Sequence, residues 1–504
     1  MARVTTTDST TLAAPPLVHN DEKSLLAALA DSVDGFSRIN FKDAGNRSRD
    51  HYKSNMAPRR FQMRQMLLPL VRWETPRLAW IQRYRTKFWD NYFAFSANLG
   101  THAFFVIMLP MPFWFGYTEI ARHLVYVLAY GVLFSGMMKD FFCLPRPLSP
   151  PLHRITMSGS AALEYGFPST HSTNAVSAAL VLLYTAREQK DEMSPLMFVL
   201  VQILAWLYMT SIVLGRIYCG MHGFLDVVVG TLLGVALFAV RWCFADVIDA
   251  FVTAPGAMPV LVLTPLILIL VRVHPEPVDQ CPCFEDGVAF AGVVLGVDYG
   301  LWIGQYSSFV SSTPYPATIP FTFAKSGVVG IVARMVIGIT TIFMWRAIMK
   351  KTLHAALPPL FRLVEQIGIS MPRVFFLKAS EYHKVPASLP DSTLVNATEI
   401  PSLIGRIGRM RSDSVGPQST ADMYETMAYR EERQRRKSIE SQDSPSAKHE
   451  QELAELEEEY KLFLAIPKPR VQYDVEVVTK LVVYTGIGLL GSNLLSVAFY
   501  YAGI

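Results

Sequence analysis

The sequence predicts an all-α polytopic membrane protein, a helical bundle of eight or nine transmembrane helices. Three observations predict it. Of the 504 residues, 51% are apolar and only 17% are charged, against roughly 25% charged in an ordinary soluble domain. The charge is concentrated before Asp90 and between about Lys378 and Lys480. The remainder breaks into apolar stretches near the length that a hydrocarbon core about 30 Å thick demands, because backbone amides cannot go unpaired in lipid. A formal charge of +4 is too small to suggest a nucleic-acid binder. Cys143, Cys219, Cys243, Cys281 and Cys283 are too few and too scattered for a disulfide scaffold. The C-x-C pair among them has no second pair to complete a zinc site, so the sequence points to no metal and no cofactor.

Residues 1–90 form a polar and basic N-terminal region. Its first 57 residues lack the apolar core of a cleaved signal peptide. From Arg59 to Lys87 eight Lys and Arg stand against one Glu, with Phe61, Trp73, Trp80 and Tyr84 between them. That pattern fits either a solvated basic face or a helix lying on an anionic membrane surface. A membrane core over 91–246 follows, with spans near Ala94–Phe115, Leu124–Met138, Thr173–Thr185, Leu196–Leu214 and Phe224–Phe244. Accessory spans over 247–375 are expected at Met258–Val273, Val288–Ile303 and Val328–Ile348, with Leu353–Ile369 ambiguous for its two prolines. Residues 376–474 are a polar, partly disordered insertion. Its 402–451 stretch is too poor in apolar residues to fold alone, and Glu452–Leu464 suits a short amphipathic helix. Arg435-Arg436-Lys437-Ser438 could be a phosphosite, although a solvated basic stretch is the plainer reading. A last span over Val477–Tyr501 fills 475–504.

Three polar islands interrupt the apolar region at span ends: Lys139 to Arg146-Pro147, Tyr165 to His171 through Pro168-Ser169, and Gly215-Arg216 to Asp226 through His222. The first two share one loop and two spans separate the second from the third, so all three can meet at one membrane surface. Lys139, Arg146 and Arg216 supply three cations, and guanidinium matches the fork of phosphate oxygens. Pro168-Ser169 reads as a helix start with amides that favour an anion. His222 and Asp226, at i and i+4, share a helical face. The carboxylate can hold one ring nitrogen and leave the other as a nucleophile. His171 can protonate a leaving alkoxide. Together they spell phosphoryl transfer through a phosphohistidine, with no carboxylate cluster for magnesium. Taken singly, Lys139 would pass for a snorkelling anchor, and His222–Asp226 for a structural pair or proton relay.

The order Lys-x6-Arg-Pro, Pro-Ser-x-His, Arg-x5-His-x3-Asp resembles the three signature blocks of the type 2 phosphatidic acid phosphatase superfamily, which includes vanadium haloperoxidases and bacterial acid phosphatases. The resemblance implies that Lys139, Arg146, Ser169 and Arg216 bind phosphate. It implies His171 as general acid, His222 as nucleophile and Asp226 as its partner. Ser149 to Ser158, Glu164-Tyr-Gly, the Thr of Pro-Ser-Thr-His and Cys281-Pro-Cys-Phe-Glu-Asp286 are similar to the long-chain base 1-phosphate phosphatases, the fungal members most. That narrower resemblance implies an endoplasmic reticulum enzyme with a lumenal active site, acting on a sphingoid base 1-phosphate in the bilayer. A broader lipid phosphate phosphatase, a headgroup transferase and a non-catalytic lipid-phosphate transporter or scaffold are the alternatives. Gly215 departs from the usual Ser, whose hydroxyl would contribute roughly 0.5–1.5 kcal/mol to phosphate binding.

Asp298 and Arg334 lie inside spans, where ionisable groups pair or line a cavity; a mutual salt bridge is the expectation. Asp298 is also a candidate for recognising the amine of a sphingoid base, as are Glu285 and Asp286. Orientation is in conflict. The positive-inside rule puts Arg59–Lys87 in the cytosol and, two spans on, the Lys139 end with it, whereas the family resemblance implies a lumenal site.

Overall fold

The structure, a computed structural model, describes residues 44–148, 151–155, 164–306, 317–368, 373–386 and 471–504. The readings of 402–464, including Arg435 to Ser438, and parts of the 149–158 motif lie outside the described residues.

The chain begins with a short helix α1 (Arg49–Asn55) and a long one, α2 (Pro58–Ile81). Pro58 sits in the first turn, where its missing amide is no loss; two more prolines, Pro69 and Pro76, lie within α2. The expected span Ala94–Phe115 is broken into three helices: α3 (Lys87–Asn98), α4 (His102–Met108) and α5 (Pro110–Trp114). Thr101 caps α4 and Pro110 opens α5, and each restarts the helix. Gly100 lies at the first break, where a Cβ would stand 3.0 Å from the His171 ring.

The half that carries the three polar islands is built from α6 (Thr118–Phe142), α7 (Thr170–Glu188), α8 (Pro195–Tyr218) and α9 (Phe224–Cys243). Helix α7 is their centre. Its Ser172, Thr173, Asn174 and Ser177 are wholly buried. A Cβ on Gly230 or Gly234 of α9 would come 2.5 Å from the Ser169 or Thr173 carbonyl oxygen, so glycine is what lets these backbones approach. The accessory half comprises α10 (Ala245–Val252), α11 (Met258–Arg272), α12 (Cys283–Gly304), α13 (Phe323–Gln366), α14 (Val475–Leu489) and α15 (Leu495–Tyr501), the last two joined through a π turn. Helix α12 is buried along most of its length. The Leu353–Ile369 stretch continues α13 rather than forming a span of its own. Two short strands, β1 (Phe376–Leu377) and β2 (Gln472–Tyr473), pair in parallel at the two ends of the insertion.

Among the described residues, six helical stretches are long and apolar enough to cross a bilayer: α6, α8, α9, α12, α13 and α14–α15. The other three segments counted in the sequence differ for a physical reason. Residues 104–114 and 258–272 are shorter apolar helices, while α7 carries polar residues because its surroundings are protein.

The expected Asp298–Arg334 salt bridge is not how either charge is satisfied. Asp298 accepts a hydrogen bond from Tyr126 of α6, and Arg334 donates to the carbonyls of Trp114 and Ile504.

Candidate active site

All three polar islands lie at one end of the α6–α9 half. Lys139 stands in the last turn of α6, which Cys143 closes in a left-handed conformation (φ 51°). Ser169 caps α7, its hydroxyl accepting the Ser172 amide, and its own amide donates to the Asp226 carbonyl at 3.0 Å. That bond ties the start of α7 to the first turn of α9. Arg216 ends α8, and its carbonyl accepts the amides of Met221 and His222, which folds the 219–223 loop back over the helix end.

Arg146 organises the centre. Its Nη1 donates to the Met221 carbonyl at 2.9 Å and lies 3.0 Å from His222 Nε2. A guanidinium only donates, so Nε2 presents its lone pair and the proton sits on Nδ1. Asp226 Oδ2 stands 3.6 Å from that Nδ1, on the far side of the ring, and meanwhile accepts the Gly223 amide at 2.9 Å. Burial pushes the His222 pKa well below 6.5, and Arg146, Lys139, Arg216 and His171 push it further. The imidazole is therefore an uncharged base at neutral pH, with its free nitrogen facing the cations. His171 is partly exposed and lies close enough to weigh on His222 electrostatically.

Several residues at this site escaped the sequence reading. Glu164 Oε2 is 3.2 Å from both Lys139 Nζ and Arg146 Nη2. It belongs to the quoted Glu164-Tyr-Gly motif, but spacing gave it no role. Glu74 of α2 accepts the Leu225 amide at 2.8 Å, capping the helix that carries Asp226. Gln82 holds the His153 and Tyr218 carbonyls and accepts the His153 amide. Arg60 and Arg64 donate to the carbonyls of Asp140, Phe141 and Cys143 at the end of α6. Gly215 faces Phe93, whose ring would stand 3.0 Å from a Cβ there, so a serine would press on this side chain of α3.

The candidate amine-recognising acids lie elsewhere. Tyr126, which holds Asp298, is thirteen residues before Lys139 on α6, about 20 Å along the helix axis. That is too far to touch an amine beside a phosphate at Lys139. Glu285 pairs with Lys480 and accepts Gln472 at 2.6 Å. Asp286 is buried in the first turn of α12. Among the described residues, Asp140, Cys281 and Cys283 bring ligand atoms within 4.8 Å of one another, but the two sulfurs are joined in a disulfide. No thiolate remains there to bind a metal.

With this geometry in place, comparison with known proteins adds the family. The PAP2 superfamily model matches residues 120–248, a stretch that contains every motif residue from Lys139 to Asp226. A dihydrosphingosine 1-phosphate phosphatase of Schizosaccharomyces pombe is 41% identical over 305 residues, covering 60% of this chain and 72% of that protein. The chain belongs to the long-chain base 1-phosphate phosphatase family of the PAP2 superfamily. A dihydrosphingosine 1-phosphate phosphatase of Saccharomyces cerevisiae is 35% identical over 312 residues, 62% of this chain and 75% of the relative. The human sphingosine-1-phosphate phosphatase 2 is 29% identical over 295 residues, 57% and 71% of the two chains. No solved structure matches the chain.

Proposed function

We propose that the protein is a membrane-embedded phosphatase that converts sphingoid long-chain base 1-phosphates to the free base and inorganic phosphate. The observation that carries the reading is the His222 Nε2 lone pair, 3.0 Å from Arg146 at the cationic cluster, with a carboxylate behind the ring. The names of the relatives supply the lipid class. In this reading Lys139, Arg146, Arg216 and the start of α7 at Ser169 hold the phosphate oxygens. His222 Nε2 attacks phosphorus, the bond to the lipid oxygen breaks, and His171 protonates the departing alkoxide. Water, deprotonated by His171, then attacks the phosphohistidine and releases phosphate and a neutral His222. Fixed cations stabilise the equatorial oxygens through both steps. They would also repel a divalent metal, so we assign no metal to the reaction.

We further place nine crossings in the bilayer: the six long apolar stretches, α7, the α4–α5 pair and α11. The site end faces the lumen of the endoplasmic reticulum, and the lipid tail lies among the helices.

The test is phosphate release by the purified protein from dihydrosphingosine 1-phosphate, with and without a chelator. We expect release that the chelator leaves unchanged, and a loss of several orders of magnitude in His222→Ala. Undiminished turnover in His222→Ala refutes the nucleophile. Consumption of the lipid without free phosphate would mean a transferase. Lipid binding without turnover in the unmodified protein would mean a transporter or scaffold.

A further inference from the structure

We infer that Glu164 is the specificity residue that receives the ammonium group of the lipid, so that the site selects phosphates carrying an adjacent positive charge. The inference rests on the proposed phosphatase reading and names what distinguishes its substrate.

A sphingoid base 1-phosphate carries its ammonium on the carbon next to the one bearing phosphate. Held at Lys139, Arg146 and Arg216, such a headgroup brings a fourth positive charge within a few ångströms of three others. Like charges at that range repel strongly in a partly desolvated site, and a site built only of cations would prefer phosphates that lack the amine. A carboxylate beside the phosphate position reverses that preference.

Glu164 stands in that place. Its Oε2 is 3.2 Å from both Lys139 Nζ and Arg146 Nη2, so it touches the groups that would hold the phosphate. Its side chain is 28% exposed, where those of Lys139 and Arg146 are 6% and 7%. The carboxylate is thus the most accessible of these three groups, the one a headgroup can reach with least rearrangement. A phosphate taking its place between the two cations would turn Glu164 outward by a side-chain rotation, toward the carbon that follows the phosphate. His222 approaches from the other side of Arg146, through Nη1 rather than Nη2.

The backbone that follows Glu164 is anchored. Tyr165, wholly buried, accepts the Asp279 amide at 2.8 Å and donates to the Asp279 carboxylate at 3.2 Å. The Gly166 amide donates to the Leu144 carbonyl at 2.9 Å, and a Cβ at that glycine would stand 2.8 Å from the Pro145 carbonyl oxygen. The three residues of Glu164-Tyr165-Gly166 therefore have separate jobs. Tyrosine anchors the segment to the loop before α12, glycine allows it to lie against the Arg146 loop, and glutamate reaches the cations. The bonds of the next two residues hold the carboxylate beside the cations.

The experiment compares kcat/KM for dihydrosphingosine 1-phosphate, its N-acetylated form, in which the ammonium becomes a neutral amide, and octadecyl phosphate, which has no nitrogen. Unmodified full-length protein, Glu164→Gln and Glu164→Asp are measured in the same detergent. We expect the unmodified protein to prefer the ammonium lipid. In Glu164→Gln that preference should shrink by about tenfold or more, as expected for losing one partner of a partly buried charge pair. The rate on octadecyl phosphate should hold or rise, since Lys139 and Arg146 lose a competing anion. Glu164→Asp, which keeps the charge, should retain most of the preference. Equal factors on all three lipids, in either direction, would make Glu164 a competitor for phosphate or a structural group and overturn the inference. An unmodified protein that hydrolyses these lipids without preferring the ammonium form also overturns it. If the unmodified protein hydrolyses none of the three, the phosphatase reading itself falls.

Discussion

The neutrality of His222 is a consequence of its surroundings and can be read in a pH profile. Burial and the nearby cations both disfavour the imidazolium and hold its pKa well below 6.5. As pH falls through 6.5 the free enzyme therefore keeps its nucleophile. An acid limb due to His222 lies lower, in addition to the substrate's own second phosphate ionisation near about 6. Removing one cation raises the His222 pKa back toward its ordinary value. Lys139→Met should thus move the acid limb of kcat/KM upward in pH, on top of a rate loss of about a hundredfold from the missing charge. The substrate ionisation is common to both profiles and drops out of the difference. A limb that does not move would mean that Lys139 acts too far from His222 to matter. The same region includes Gly215: with the Phe93 ring 3.0 Å from a Cβ at that position, a serine there would require the ring to shift by a few tenths of an ångström.

Helix α2 shows how a segment outside the motifs sets the site. Its Glu74 caps the start of α9 at the Leu225 amide, and a Cβ on Gly223 would stand 1.9 Å from the other carboxylate oxygen. Glycine at 223 is thus the residue that admits this cap. Glu74→Ala leaves the first turn of α9 without it, at about 1–2 kcal/mol, and frees the segment that carries His222 and Asp226. We expect a lower thermal midpoint, with kcat reduced and KM for the lipid little changed; an unaltered kcat would show that α2 only covers the site. The outward face of α2 exposes Met66, Leu70, Trp73 and Trp80, spaced four, three and seven apart, while Arg60 and Arg64 turn inward to backbone carbonyls. Neither a solvated basic face nor a charged surface helix describes it alone. The sequence carried the basic and aromatic residues but not the direction in which each points. The motif residues were legible because their spacing is local to span ends, and span parity brings those ends together. Glu74, Gln82 and the partners of Asp298 and Arg334 were not, because each contact joins residues more than 70 positions apart. Pairing at that distance depends on how helices rotate against one another. The broken Ala94–Phe115 span failed for a different reason: a threonine cap and a proline start outweigh an apolar composition that looks continuous.

At the scale of the whole molecule, the connections alternate between two ends. Arg60 and Arg64 reach the end of α6, His274 after α11 pairs with Asp140 at 2.8 Å, and Arg373 after α13 donates to the His274 and Pro275 carbonyls. These join the 219–223 loop at the site end. At the opposite end Asp249 after α9 meets Arg122 and Arg241, Trp302 and Gln305 at the end of α12 hold the 254–256 turn, and Arg334 holds Ile504. The six long stretches run between these two ends, and the proposed count of nine adds α4–α5, α7 and α11, which join the same ends. Arg60 and Arg64 are engaged by helix-end carbonyls, while nine crossings leave the basic segment on the same side as Lys139, so the conflict with the positive-inside rule stands. Cys281 and Cys283 lie at the site end, their sulfurs within 4.8 Å of an Asp140 carboxylate oxygen. The insertion leaves the fold at Pro386 and returns at Val471, and the β1–β2 pair brings its two ends together beside Arg373 at the site end. Both ends of the insertion thus lie on the side of the active site, and its sequence contains Asn396-Ala397-Thr398, an acceptor sequence for N-glycosylation, which makes its compartment testable. A tag placed within 387–470 should be protected from protease in sealed microsomes and cut once detergent is added. An endoglycosidase-sensitive mass shift should vanish in Asn396→Gln. Cleavage of the tag in sealed vesicles would put the site in the cytosol; protection would place Ser438 beyond the reach of cytosolic kinases.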